Sequence, residues 1–153
     1  MTQLIQLSQA DVAQNNARLW EALNGFFAFT ELDDLSPEQR AAGLAYDYAG
    51  SMGIGGHAHY FSLVPPPDYT EVIAALSVIK AVEQATILTE ALEAVRRAAE
   101  QAPSQFANRF AAGIDRADLD LFDQSFALCK RTIPECLVEY VDRHQRDFIQ
   151  WRE

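Results

Sequence analysis

The chain has 153 residues, of which 49% are hydrophobic and 22% are charged. These proportions are typical of one globular domain that buries its own core, and they exclude a disordered, apolar-poor chain. The 22 acidic and 12 basic residues give a net charge of -10, which disfavours direct binding to nucleic acid or to an anionic membrane and favours a cationic partner.

The amino-terminal segment predicts no export signal. Residues 1–7 contain no basic leader, and no stretch of the chain approaches the roughly 18 apolar residues of a membrane span. The two cysteines, Cys129 and Cys136, have neither CxxC spacing nor partner histidines arranged for zinc. We therefore expect a cytoplasmic protein with reduced thiols and no metal or other cofactor.

Two amphipathic helices are predicted in the first third of the chain. The first follows Ser8, a candidate N-cap, and ends near residues 25–29. Its apolar residues recur at three- and four-residue steps at Val12, Leu19, Trp20, Leu23 and Phe27. Residues 36–39, Ser-Pro-Glu-Gln, form a capping box that opens the second helix. The glycines of residues 50–56 are expected to end it.

Two further helices are predicted in the middle of the chain. Asp68 lies three residues before Glu71, a capping pair that follows the proline turn at residues 65–67. The next helix runs to about Gln101, where Pro103 intervenes.

The last two predicted helices begin at acidic and proline signals. Asp115 and Asp118 are expected to open one, with Asp115 as the cap and Asp118 at the positive end of the helix. Pro134 stands near the start of the other, whose apolar stripe continues to Trp151 and includes His144 as a core or edge residue. No window shows the sustained alternation of a strand. The sequence thus predicts an all-α fold, a single compact array of roughly six to eight helices forming one acidic domain over residues 1–153.

A glycine-rich segment offers the one formal match to a ligand-binding motif. Residues 53–58, Gly-Ile-Gly-Gly-His-Ala, fit the dinucleotide fingerprint, but that motif requires a preceding strand and residues 44–52 are predicted as helix. His57 and His59 could share a metal only on an extended backbone, because helical residues two apart point about 200° apart. We expect no enzymatic activity. A small metal-dependent enzyme or ligand-binding protein using His57 and His59 stays as the alternative, and whether these histidines bind a ligand or are structural is open.

Acidic residues cluster in the last third of the chain. Asp120 and Asp123 are expected to point outward from their helix, and the final helix adds acids at three- and four-residue spacing. The expected partner-binding surface consists of Asp115, Asp118, Asp120, Asp123, Glu135, Glu139 and Asp142. Basic residues interrupt it at Lys130, Arg131, Arg143 and Arg146.

The segment at residues 54–61, Ile-Gly-Gly-His-Ala-His-Tyr-Phe, and the later segments at residues 75–81, 85–92 and 119–126 carry a family resemblance. They resemble a family of small all-helical bacterial proteins of mostly unassigned function that includes an acidic DNA mimic. The family pattern is Asn-Gly-Gly, an aromatic residue, Gln and an aromatic residue. The motif here comprises Gly55, Gly56, His57, His59, Tyr60 and Phe61. Ile54 stands where asparagine is usual and His59 where glutamine is usual.

This resemblance, over roughly residues 44–144, implies an all-helical fold without known catalytic activity and a capacity for homodimerisation. In one branch it implies an acidic face that occupies the DNA-binding surface of a regulator. We hypothesise a non-enzymatic protein-binding or regulatory module whose partner is a basic protein, such as a DNA-binding regulator. An alternative is a structural homodimer that buries aromatic residues such as Trp20, Phe26, Phe29 and Trp151.

Overall fold

The computed structural model describes residues 3–10, 16–103 and 108–152. Eight α-helices lie within these ranges, together with a 3-10 helix at Leu32–Asp34 and two short strands. The elements are β1 (Ile5–Ser8), α1 (Asn16–Phe29), α2 (Pro37–Phe61), α3 (Tyr69–Val78), α4 (Val82–Gln101), α5 (Arg109–Arg116), α6 (Asp120–Ala127), α7 (Ile133–Arg143), α8 (Gln145–Phe148) and β2 (Ile149–Arg152). This arrangement confirms the predicted all-α helical array.

The first helix ends where its periodicity predicts. α1 stops at Phe29, and Leu19 and Leu23 of its apolar stripe are buried in the core. Val12, the first residue of the predicted stripe, lies outside the described residues.

Side-chain caps start helices α2, α3 and α7, and the sequence predicts two of these caps, Ser36 and Asp68. Ser36 accepts a hydrogen bond from the backbone N–H of Gln39 (3.3 Å), and the Gln39 side chain accepts one from the Ser36 N–H, which completes the capping box of α2. Asp68 accepts from the backbone N–H of Glu71 at the start of α3. Thr132 caps α7, where Pro134 occupies the first turn. Each cap satisfies an N–H group that has no partner within the helix.

α2 is the helix around which the others pack. It contacts α3, α5, α6, α7 and α8, while α4 packs against α3, α5 and α6. The core between these helices contains the fully buried side chains Tyr48, Tyr60, Leu76, Leu88, Leu137 and Phe148. Residues near the middle of α2 are therefore enclosed by neighbouring helices.

Gln39 joins the start of α2 to both ends of the described chain. Its side chain is completely buried, and its Nε2 donates to the backbone oxygens of Gln3 (2.9 Å) and Asp147 (2.8 Å). The residue that completes the capping box thus also fixes the segment before β1 and helix α8.

The glycine segment does not end the second helix as expected. α2 continues to Phe61, with a kink at Gly55 and Gly56 where the backbone leaves helical geometry. The helix resumes because the residues after the kink, including His57 and Tyr60, are buried against neighbouring helices.

The C-terminal segment also differs from the prediction of one long helix to Trp151. α7 ends at Arg143, α8 covers four residues, and Ile149–Arg152 forms β2, which pairs in parallel with β1. Ile5 is in register with Ile149 and Leu7 with Trp151. Each strand has four residues, and the partners are about 144 residues apart in sequence, so no local alternation reveals them.

The predicted start of the helix after α5 is also wrong. Asp115 lies in the last turn of α5, and α6 begins at Asp120, so Asp115 does not cap α6 and Asp118 precedes the helix. The residue at the N-cap position is Leu119, whose side chain is buried and makes no capping hydrogen bond. α6 therefore begins without a side-chain cap, next to a residue that is packed into the core.

None of the helices in the described ranges combines the length and the apolar character that a membrane crossing requires.

Candidate functional site

The most distinctive local geometry lies at the kink of α2. Gly55 has φ -159° and ψ 21°, and Gly56 has φ 68° and ψ -161°. The Gly56 conformation belongs to a region of backbone space that is essentially restricted to glycine. The kink therefore depends on glycine at position 56, and it turns the backbone toward the start of α6.

Asp123 of α6 meets the helix at this kink. One of its carboxylate oxygens accepts a hydrogen bond from the backbone N–H of His57 (2.9 Å) and lies 2.6 Å from the Nδ1 atom of the same residue. The His57 side chain is completely buried, whereas that of Asp123 keeps 32% of its surface exposed. A single carboxylate thus binds both the main chain and the side chain of His57.

The absence of a side chain at residue 56 makes this approach possible. A Cβ atom on Gly56 would lie 2.3 Å from one carboxylate oxygen of Asp123 and 2.7 Å from its carboxyl carbon. Both distances are well inside van der Waals contact. Gly56 is therefore required for its backbone conformation and for the space that Asp123 occupies.

Tyr48, two turns before the kink on α2, completes the network. Its hydroxyl oxygen lies 2.7 Å from the Nε2 atom of His57. The Asp123 carboxylate can only accept, so the Nδ1–H of His57 donates to it. Within the described ranges the Tyr48 hydroxyl has no other acceptor, so it donates its proton to Nε2. This assignment makes His57 a neutral imidazole.

Burial supports the neutral state. Removal from water lowers the pKa of His57, and this effect outweighs the hydrogen bond and the negative charge of Asp123, which act in the opposite direction. Burial, with a smaller contribution from the charge of Asp123, raises the pKa of Tyr48 far above its usual value, so its hydroxyl stays protonated. Each of the two hydrogen bonds of the His57 ring therefore holds one proton.

Aromatic rings enclose His57. The ring centroids of Phe61, Phe122 and Phe126 lie 5.8, 6.5 and 6.4 Å from that of His57, and Phe126 also packs edge-on against Tyr48. Both ring nitrogens already have partners, and the side chain has no exposed surface. His57 therefore has the environment of a buried structural histidine rather than that of an accessible general base or metal ligand.

The two histidines of the motif do not converge. His59 lies beyond the kink and is half-buried, while His57 is enclosed. Within the part of the chain that the structure describes, no group of three or more histidine, cysteine or acidic residues is placed to hold a metal ion. His144 follows α7 as its C-cap, and its ring packs at a tilt against Tyr140 with a centroid distance of 4.5 Å, at the edge of the core.

Six of the seven acidic residues that the sequence proposes for partner binding are exposed. They are Asp115, Asp118, Asp120, Glu135, Glu139 and Asp142. Asp123 differs from the outward-pointing carboxylate that we expected, because its oxygen faces His57. Sequence spacing alone does not distinguish Asp123 from Asp120.

The exposed acids belong to two parts of the fold. Asp115, Asp118 and Asp120 lie at the end of α5, in the connection and at the start of α6, and α5 and α6 both pack on α4. The other three lie on α7, which packs on α1 and α2. Glu139 forms an ion pair with Arg131, and Asp142 accepts a hydrogen bond from Gln145 (2.8 Å).

The aromatic residues considered for a dimer interface have different environments. Phe26 is buried in the core, and Trp20 and Trp151 are partly buried against it, while Phe29 is 92% exposed. Homodimerisation stays a prediction.

Sequence reasoning missed Tyr48 and the structural role of Asp123. Asp123 is 66 residues from His57, and Tyr48 resembles any other aromatic residue on the buried face of a helix. The available signal was the resemblance of both residues 54–61 and residues 119–126 to one family, because these are the segments that meet.

A family model for DMP19-like proteins matches residues 33–144. The chain belongs to the DMP19-like protein family. No curated protein sequence and no solved structure matches it. In this DMP19-like chain, the matched range contains Tyr48, the Gly55–Gly56 kink, His57 and Asp123, and thus the whole network.

Substitution of Gly56 tests the close approach of α6. We expect Gly56→Ala to reduce the free energy of unfolding by about 3 kcal/mol, since it adds a Cβ atom against Asp123 and strains the backbone. Urea unfolding measures this change. Gly50→Ala on the same helix is the matched control, because nothing lies within 4 Å of its Cβ position. It should stabilise the protein by about 0.5 to 1 kcal/mol. Equal effects of the two substitutions would contradict the assigned role of Gly56.

The lowered pKa of His57 has a consequence for stability. Between that pKa and the ordinary value of about 6.5, the unfolded chain binds more protons than the folded one. The free energy of unfolding should therefore fall as the pH decreases through this window. Urea unfolding at several values between about pH 7.5 and about pH 5.5 measures this dependence. We expect the free energy of unfolding to decline less with falling pH in His57→Asn than in the unsubstituted protein, because the asparagine amide does not titrate. Identical slopes would argue against a neutral, buried His57.

Proposed function

We propose that this DMP19-like protein is a non-enzymatic protein-binding module whose exposed acidic helices engage a basic partner, such as a DNA-binding regulator. The observation that carries the proposal is the exposure of six carboxylates on α5, α6, α7 and the connection between α5 and α6. The net charge of -10 supports it, since the field of such a chain attracts cationic proteins and repels nucleic acid. The motif residues resemble a family that includes a DNA mimic, and this resemblance also leads us to expect an acidic surface that binds a DNA-binding protein.

The spacing of the acids suits contact with residues that bind phosphates. Helical residues three or four apart have Cβ atoms about 5 to 6 Å apart, which is a scale comparable to the separation of charges on a nucleic acid backbone. Glu135, Glu139 and Asp142 have this spacing on α7. A partner with lysine and arginine side chains arranged for DNA could pair with them.

Not all of these carboxylates are equally available. Glu139 forms an exposed ion pair with Arg131, with which a basic partner would compete, and Asp123 is committed to His57. The acids that we propose for partner contact are therefore the six exposed ones, Asp115, Asp118, Asp120, Glu135, Glu139 and Asp142. Asp123 acts as a positioning residue, because its bonds to His57 hold the first turn of α6, which carries Asp120 and follows Asp118.

The salt dependence of partner binding tests this function. We expect immobilised protein to retain a basic DNA-binding protein from a native cell extract at about 0.05 M salt and to release it at about 0.5 M, because salt screens exposed charges. The retained protein, once purified, should be displaced from its duplex DNA by an excess of this protein. Retention that is indifferent to salt, or a partner whose DNA binding is unaffected, would contradict the proposal.

A pair of matched variants locates the surface. The triple variant Asp118→Asn, Asp120→Asn and Glu135→Gln removes three proposed contacts, and the control Glu21→Gln, Glu31→Gln and Asp34→Asn removes three other exposed charges. Both change the net charge from -10 to -7 by removing three acids. We expect the first to weaken binding to the purified partner by about tenfold or more and the second by much less. Equal losses would place the contact elsewhere.

A further inference from the structure

A cavity of about 360 Å³ lies between α2, α4, α6 and the start of α7. Its size falls within the range of small-molecule sites in proteins, which is about 300 to 1,000 Å³. None of the proposed partner-contact acids lines it. Phe126 lines the cavity and also contacts Tyr48 of the His57 network, whereas neither Tyr48 nor His57 lines it. Nothing in the proposed protein-binding function uses this cavity.

The walls of the cavity are almost entirely apolar and uncharged. Met52, Phe126, Ile133 and Pro134 supply most of the large side chains, and no charged residue lines the cavity. Cys129 also lines the cavity, and its thiol donates to the backbone oxygen of Ser125. Burial, followed by the charge and hydrogen bond of Glu83, raises the pKa of this thiol so that it stays neutral. Glu83 itself is exposed and does not line the cavity. An ionised molecule would lose its hydration here without gaining an opposite charge.

One polar group in the cavity wall lacks a partner. Gln84 is 98% buried, since only 2% of its surface is exposed, and its Nε2 donates to the backbone oxygen of Arg131. This bond fixes the side-chain amide. Its oxygen, Oε1, accepts no hydrogen bond from any residue in the described ranges. The oxygen keeps some accessible surface and can therefore be hydrated. A molecule that covers it without supplying a donor removes that hydration, so a molecule with a donor at this point binds more tightly.

We propose that this cavity binds a small, uncharged, largely apolar molecule that carries one hydrogen-bond donor. The apolar body packs against Met52, Phe126 and Ile133, and the donor binds Oε1 of Gln84. The class includes aromatic heterocycles with a ring N–H and phenols of similar size. Indole represents this class as a probe, and 1-methylindole is its counterpart without the donor.

Two methionines in the chain make the experiment simple to read. Met52 lines the cavity and Met1 is at the amino terminus, so protein labelled with 13C at the methionine methyl groups has two signals. We expect indole to shift the Met52 signal in a saturable manner, with a Kd below about 1 mM, and to leave the Met1 signal in place. 1-Methylindole should bind about tenfold more weakly, because it leaves Oε1 of Gln84 unpaired.

A filled cavity provides the control. Gly53 lines the cavity and Gly50 does not, yet nothing lies within 4 Å of the Cβ position of either. Gly53→Leu should remove indole binding and Gly50→Leu should retain it, with melting temperatures confirming that both fold. Absence of a saturable Met52 shift, or equal binding by both variants, overturns the site. Equal affinity for indole and 1-methylindole in the unsubstituted protein overturns the role of Gln84 and the proposed ligand class, and this comparison needs no variant.

Discussion

The hydrogen bonds between Asp123 and His57 are the interaction on which the arrangement of the central and carboxy-terminal helices depends. They join the middle of α2 to the first turn of α6 and place one carboxylate against both the backbone and the ring of a buried histidine. Hydrogen bonds that involve a charged group contribute roughly 1.5 to 3 kcal/mol each, with partial exposure of Asp123 favouring the lower value. Without the open backbone at Gly56, the carboxylate could not approach at all.

The carboxylates of this acidic protein fall into two groups, those that make structural hydrogen bonds and those that are exposed to solvent. Asp123 satisfies a buried donor, Asp68 caps a helix, and Glu71 forms a bidentate pair with Arg40 whose hydrogen bonds lower the Glu71 pKa. The acids at residues 115–120 and 135–142 have no comparable burial. A surface that binds a basic partner needs such exposed charges on a rigid support, and the fixed position of α6 supplies that support for Asp120.

Local signals in the sequence determined much of what could be predicted. The Ser36 capping box, the Asp68 cap and the end of α4 at Gln101 depend on residues within four positions of each other, so spacing reveals them. The bond from His57 to Asp123 and the pairing of Ile5 with Ile149 join distant segments and leave no local pattern. The glycines of α2 were ambiguous, because a glycine that ends a helix and one that permits a kink are identical in sequence. Only the burial of the following residues distinguishes them.

The most direct measurement is 15N NMR of the His57 imidazole at neutral pH. A neutral ring with its proton on Nδ1 and an unprotonated Nε2, together with a slowly exchanging Tyr48 hydroxyl proton, is the result expected from the bonds to Asp123 and Tyr48. Asp123→Ala should abolish that preference for the Nδ1–H form. A proton on Nε2 instead, or a doubly protonated ring, would contradict the buried neutral network and with it the assigned anchor of α6.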